Sequence, residues 1–255
     1  MNFNKIKNFV FYSFVGFFVS ACAPVAVKEI TQDKTGYLKS NFGKDKISGS
    51  VVSELAKDKV PSNSYGSFKV VSSVSFEDIK KEKTYSSIVD TVFGSGDGFF
   101  QQIREYSNND IAYGSQYVAS YGGIVPLKHQ TVRYKQNIAD FEIETKQLLS
   151  ITKGILKPSE NSEYSVEFST GRAPQIANLQ NVKLVCNTGR FYSATSVFQG
   201  FPGRAIDLRC ERFYNGVKNS NEKFVFFESL GFSFKLEYRG SDKIEIYELK
   251  SISFN

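Results

Sequence analysis

The chain has 255 residues, 41% of them hydrophobic and 23% charged, which are ordinary globular values and enough length for one large or two small domains. Its formal charge of +6 is modest and spread along the sequence, so it offers no basic face for nucleic acid, and no nucleic-acid partner is expected. Aromatic usage is one-sided: 24 Phe and 14 Tyr with no Trp, a bias toward half-buried positions on strands.

The first stretch has three parts: a basic start with Lys5 and Lys7, an apolar run from Phe9 to Val19 broken by Ser13 and Gly16, and the small-residue ending Val19-Ser20-Ala21-Cys22. This is the layout of a secretory signal, and the apolar run is too short for a bilayer span of roughly 20 residues. The ending resembles the lipobox of bacterial lipoproteins, in which an aliphatic residue and two small ones precede a Cys. That resemblance covers only the first 23 or so residues. It implies removal of residues 1–21 as a signal peptide and lipidation of Cys22 with diacylglycerol and palmitate-type chains. Two or more acyl chains suffice for stable membrane anchoring. It also implies a cell-envelope location. Ala23, where an inner-membrane retention signal would have Asp, favours the outer membrane, with the periplasmic or surface face open.

Residues 22–64 are rich in Lys, Ser, Gly and Asp, and read as a flexible tether with a short helix at 51–56. The globular part is then 65–255, with a possible sub-boundary near 158. Ser67 to Val74 reads as a strand. Ser75 as N-cap and Asp78 three residues on suggest a helix over 76–93, with Ile79, Ile88, Val89 and Val92 on one face. Gly94-Ser95-Gly96-Asp97-Gly98 ends it. This piece lacks the Lys-Ser or Lys-Thr of a phosphate loop, so it reads as a connector.

From 99 to 158 the signals conflict: Phe99, Phe100, Ile103 and Tyr106 suit a short helix, while 116–125, 131–135 and 140–145 suit strands, and 148–156 is undecided. Farther on, Tyr164, Val166 and Phe168 alternate with polar residues, and Phe232, Phe234, Leu236 and Tyr238 alternate with Ser233, Lys235, Glu237 and Arg239. Period two marks strands with one buried face. More strands are expected at 181–187, 191–198, 205–213, 223–228 and 243–249, separated by turns at Asn187-Thr188-Gly189, Gly200 to Gly203, Asn215-Gly216 and Gly240-Ser241-Asp242. The expected fold class is α+β, mainly β: an antiparallel sheet in the C-terminal half, as a sandwich or open barrel, preceded by one or two short helices.

Reactive constellations are sparse. His129 is the single histidine, and no Cys or carboxylate stands near it at metal-ligand spacing, so it reads as an ordinary strand or loop residue. No Gly-x-Ser-x-Gly elbow accompanies it. Ser150-Ile151-Thr152-Lys153 and Lys34-Thr35-Gly36 match penicillin-binding motifs, but in reversed order and with the second in the tether. Glu142, Glu144, Glu228 and Glu237 are the candidates for a glycosidase-type carboxylate pair, with no special merit, and on alternating strands they better suit a solvated face. No catalytic residue, cofactor or metal is assigned. Cys186 and Cys210 remain as an even pair in an exported chain, each on the apolar phase of a strand (Val182, Leu184, Cys186; Ile206, Leu208, Cys210), and a structural disulfide between them is expected.

The favoured function is a non-catalytic, lipid-anchored envelope protein that binds or assembles with another envelope protein. The alternatives are a cell-wall hydrolase using paired carboxylates and a carrier of an apolar ligand, the latter suggested by the Phe content.

Overall fold

A computed structural model describes residues 26–58, 66–78 and 83–254. The expected signal peptide (residues 1–21) and lipidation site Cys22 lie outside the described residues. Among the described residues three short α-helices come first: α1 (Val27–Gln32), α2 (Lys34–Asn41) and α3 (Gly49–Leu55). Thirteen strands follow. They are β1 (Ser67–Asp78), β2 (Lys83–Gly94), β3 (Phe99–Asn108), β4 (Ile111–Tyr121), β5 (Val125–Arg133), β6 (Ile138–Ala139), β7 (Ile143–Ile151), β8 (Glu163–Arg172), β9 (Gln180–Ser193), β10 (Arg204–Tyr214), β11 (Val217–Phe227), β12 (Phe232–Arg239) and β13 (Lys243–Phe254).

Leaving aside the short β6, each strand pairs antiparallel with the next in sequence, and β1 pairs with β13, so the meander closes on itself. The two-residue β6 hangs on β5, and the other twelve strands form a closed up-and-down barrel. Closure removes the edge strands that a sandwich or open barrel would leave unpaired. The expected sandwich or open barrel is thus corrected to a closed one, and the sheet is not confined to the C-terminal half.

Two seams are thin. Strands β5 and β7 share only Lys128↔Glu144 and His129↔Ile143, and β12 and β13 share only Glu237↔Ile246 to Arg239↔Ile244. Each gap is filled by apolar side chains. At the β12–β13 seam, Phe232, Phe234 and Leu236 meet Leu249, Ile252 and Phe201 from the β9–β10 loop. Phe68 and Phe227 add edge-to-face ring contacts, with centroids 5.6–6.0 Å from Phe232 or Phe234. Near the β5–β7 seam, α3 packs on β7 and Leu55 receives the Tyr121 hydroxyl on its carbonyl at 3.3 Å.

Two expectations are overturned here. Residues 27–55 are not a tether, because Val27, Ile30, Leu38, Phe42, Ile47, Val51 and Leu55 are buried in the main core. Tyr37 and Phe42 pack against Tyr117 of β4, with ring centroids 5.1 and 6.0 Å away. The helix expected over 76–93 is instead the end of β1 and nearly all of β2, since Ile88, Asp90 and Val92 are buried while Val89 and Thr91 are half-buried. The inward Asp90 breaks the apolar alternation that would have revealed a strand. The short helix at Phe99 is likewise strand β3, whose two faces are both covered.

Other local readings shift less. Asn187-Thr188-Gly189 is no turn but part of the continuous β9. Asn215 and Gly216 do form the β10–β11 turn, both with positive φ (46° and 81°), as a two-residue type I′ hairpin needs. Gly36 sits in the first turn of α2, where its amide donates to the capping Asp33 carboxylate at 2.8 Å and a Cβ would collide with it. The Lys34-Thr35-Gly36 motif is therefore helix-capping chemistry. Ser150 and Lys153 are exposed at the end of β7.

Candidate functional site

The two ends of the barrel differ. At one end the β4–β5 turn folds across the opening, and the Gly122 carbonyl accepts the Ser233 amide of β12 at 2.8 Å. Gly123 beside it has φ +74°, and a Cβ there would fall 2.5 Å from the Ser233 carbonyl and 2.7 Å from the Phe232 ring. Glycine is required for this close approach, which seals that end. At the opposite end, which carries the β3–β4, β8–β9 and β10–β11 connections, the space between the walls opens to solvent. Around it stand exposed apolar side chains: Ile111, Ile138, Phe141, Ile176 and Val217.

Between the two ends lies a cavity of about 360 Å³, lined from opposite walls by β3, β4 and β5 on one side and β10, β11 and β12 on the other. It is the barrel lumen. Its floor is apolar, with Val118, Ile124, Phe224, Phe232 and Phe234; its middle is charged, with Arg104, Arg212, Glu222 and Lys235; its mouth has Tyr214, Asn219 and Tyr238. A second pocket of about 230 Å³ adjoins it behind His129 and Arg212, toward β7 and β8.

The charged belt is closely bonded. Arg212 donates from Nε (2.6 Å) and Nη2 (3.4 Å) to Glu222, and Lys235 Nζ lies 3.0 Å from the same carboxylate. On the facing wall Arg104 grips Asp90 through Nε (2.8 Å) and Nη2 (3.1 Å), and Gln102 donates to Asp90 at 2.7 Å. Glu245 of β13 is held by Lys243 at 2.7 Å and by the Tyr247 hydroxyl at 2.6 Å. Burial pushes the Glu222 carboxyl up, but Lys235 and Arg212 outweigh it and bring its pKa down to about 2. Burial lowers the Lys235 pKa; Glu222 opposes this, while Arg212 and Arg104 reinforce it. The pKa of His129, on the lumen wall, is lowered by burial and then by Arg212. The buried Ser120 hydroxyl lines the lumen with no hydrogen-bond partner among the described residues.

The glutamates weighed as a catalytic pair do not face this space. Glu142 and Glu144 both bind Lys128, at 2.7 and 3.4 Å, Glu228 binds Arg204 at 2.7 Å, and Glu237 pairs with Arg239. Among the described residues no group of three His, Cys, Asp or Glu could hold a metal ion. Cys186 and Cys210 stand directly opposite each other on β9 and β10 and form a disulfide, with S–S 2.07 Å and Cα atoms 4.0 Å apart. It lies within the buried core.

Sequence reasoning missed Arg104, Arg212, Glu222 and Lys235. A signal existed for Arg212, which continues the inward phase of Ile206, Leu208 and Cys210. Lys235 gave none: strict alternation places it outside, and a bulge opposite Lys223 and Phe224 sets it against the inward Phe224 instead.

No protein-family model matches this chain, and no curated protein matches it in sequence. Solved structures that align with it include a β-barrel-like protein of the DUF1849 domain of unknown function from Brucella abortus. That alignment has 9% identity and TM-score 0.45, and it covers 76% of this chain and 99% of that one. A DUF1329 family protein from Desulfovibrio piger aligns at 7% identity and TM-score 0.33, over 75% of this chain and 87% of that one. These likenesses are distant, and the barrel is assigned from the strand pairing itself.

Proposed function

We propose that this chain is a lipid-anchored envelope protein whose barrel lumen binds a small ligand without altering it chemically. The observation that carries this is a lumen sealed at one end and open at the other, about 360 Å³ in volume, within the usual range for ligand sites. Binding is favoured over hydrolysis because Glu222 and Asp90 are each locked to cations. A glycosidase acid needs a carboxyl pKa raised toward neutrality, and Glu222 is moved the other way. The charged belt also argues against a purely apolar cargo.

The anchor would be Cys22, with the outer membrane favoured. Cys22 lies just ahead of Ala26, and at about 3.5 Å per residue the lipid can stand only about 15 Å from the first described residue. The helices that follow pack on the barrel, and α2 begins beside Glu105 and Tyr134, toward the open end. A short leash there would hold the mouth near the lipid surface, where the exposed Ile176 and Phe141 could seat. The test has two parts. Metabolic labelling with a palmitate analogue should mark the wild-type chain and not Cys22→Ser. Native mass spectrometry of the gently purified protein should show a bound small molecule. A protein that takes no label, or that carries no ligand from its own host, would remove the corresponding half of the reading.

A further inference from the structure

We infer that the lumen ligand is an amphipathic organic acid: an anionic head held between Arg212 and Lys235, and a compact apolar body on the phenylalanine floor. This deepens the lumen-binding reading and rests on it.

The head group follows from the charge of the belt. The belt sets Arg104, Arg212, Lys235 and Lys243 against Asp90, Glu222 and Glu245, so four cations meet three anions, and Lys243 is taken up by Glu245. Arg104 and Asp90 form a closed bidentate pair. The imbalance therefore sits on the opposite wall, where Arg212 and Lys235 share the single carboxylate of Glu222, itself 1% exposed. Among the described residues only Glu222 pairs with Lys235, whose ammonium carries three donors. A structural ion pair would be complete with Arg212 and Glu222 alone. The added Lys235 is a quarter exposed to the lumen, which makes it the group an incoming anion reaches.

The body follows from what lies next to that ammonium. Lys235 stands 5.5 Å from the centre of the Phe224 ring, and Phe232, Phe234, Ile124 and Val118 continue the apolar lining to the sealed end. A free inorganic anion would leave this floor in contact with water, whereas an acid with a short hydrocarbon or aryl body would cover it. Removing an apolar body from water onto this floor favours binding.

The experiment is calorimetric titration of the full chain carrying Cys22→Ser with three probes: octanoate, 1-octanol and inorganic phosphate. The inference expects octanoate to bind at least tenfold more tightly than either other probe. It expects Lys235→Met to lose at least tenfold in octanoate affinity at unchanged melting temperature, and Lys235→Arg to retain most of it. Octanol binding as tightly as octanoate, with no effect of Lys235→Met, would overturn the anion inference and leave lumen binding standing. Phosphate binding as tightly as octanoate would overturn the apolar body. Failure of all three probes, together with no co-purifying ligand, would remove the lumen reading itself. Should Lys235→Met fail to fold, replacing Arg212, Glu222 and Lys235 together by Met supplies the same contrast, since apolar replacement of a whole buried ion cluster is often neutral or stabilising.

Discussion

Lys235 Nζ lies 3.0 Å from a Glu222 carboxylate that Arg212 already holds at 2.6 Å, so one buried acid serves two cations. The pKa of Glu222 is depressed from 4.5 to about 2. A depressed carboxyl contributes stability above its unfolded pKa and loses it as pH falls through its folded pKa. Stability should therefore decline between about pH 4.5 and about pH 2, by on the order of 3 kcal/mol from this group. Urea unfolding across that range is the measurement. Glu222→Gln should flatten this acid decline and, at pH 7, cost about 3–5 kcal/mol by stranding Arg212 and Lys235. An acid profile identical to wild type would show that Glu222 is not the linked group.

The helical segment gives a second expectation, because a tether and a packed cover respond differently to truncation. Phe42 is fully buried against Tyr117 and Tyr37. Phe42→Ala should cost about 3–5 kcal/mol in thermal or denaturant unfolding. A change below about 0.5 kcal/mol, the usual effect of a surface substitution, would restore the tether reading.

The disulfide ties together the paired strands β9 and β10 of the barrel wall. Its loop spans a sequence separation of 24, so reduction should destabilise by about 3.5 kcal/mol on the chain-entropy estimate. The Cys186→Ala, Cys210→Ala double variant should unfold at correspondingly lower denaturant, and reductant should then have no further effect. Both wild-type thiols reacting with iodoacetamide in non-reduced, unfolded protein would contradict the bond.

Much of the C-terminal half was legible because its strands carry one clearly apolar phase: Tyr164-Val166-Phe168 and Ile206-Leu208 alternate as they pack. The N-terminal half was not, for two physical reasons. Strands β3 and β4 are covered on both faces, by the lumen on one side and by the helices on the other, so Phe99, Phe100 and Ile103 lose their alternation. Helices α1 to α3 are short, with two buried residues in α1 and α3 and one in α2, too few for a helical period to emerge. The site itself was hidden by inward charges. Asp90 and Arg212 occupy core phases, where sequence patterns expect apolar residues, and Lys235 reaches the lumen only through a bulge that its own sequence does not announce.

The most direct test of the central claim, that the lumen is the ligand site, is a crystal structure of the chain grown with 8-bromooctanoate and phased on the bromine signal. The account expects one anomalous peak inside the barrel, beside Phe224, Phe232 and Phe234, with the carboxylate within hydrogen-bond reach of Lys235 and Arg212. A peak only on the outer surface, or a lumen filled solely by water at saturating ligand, would contradict it.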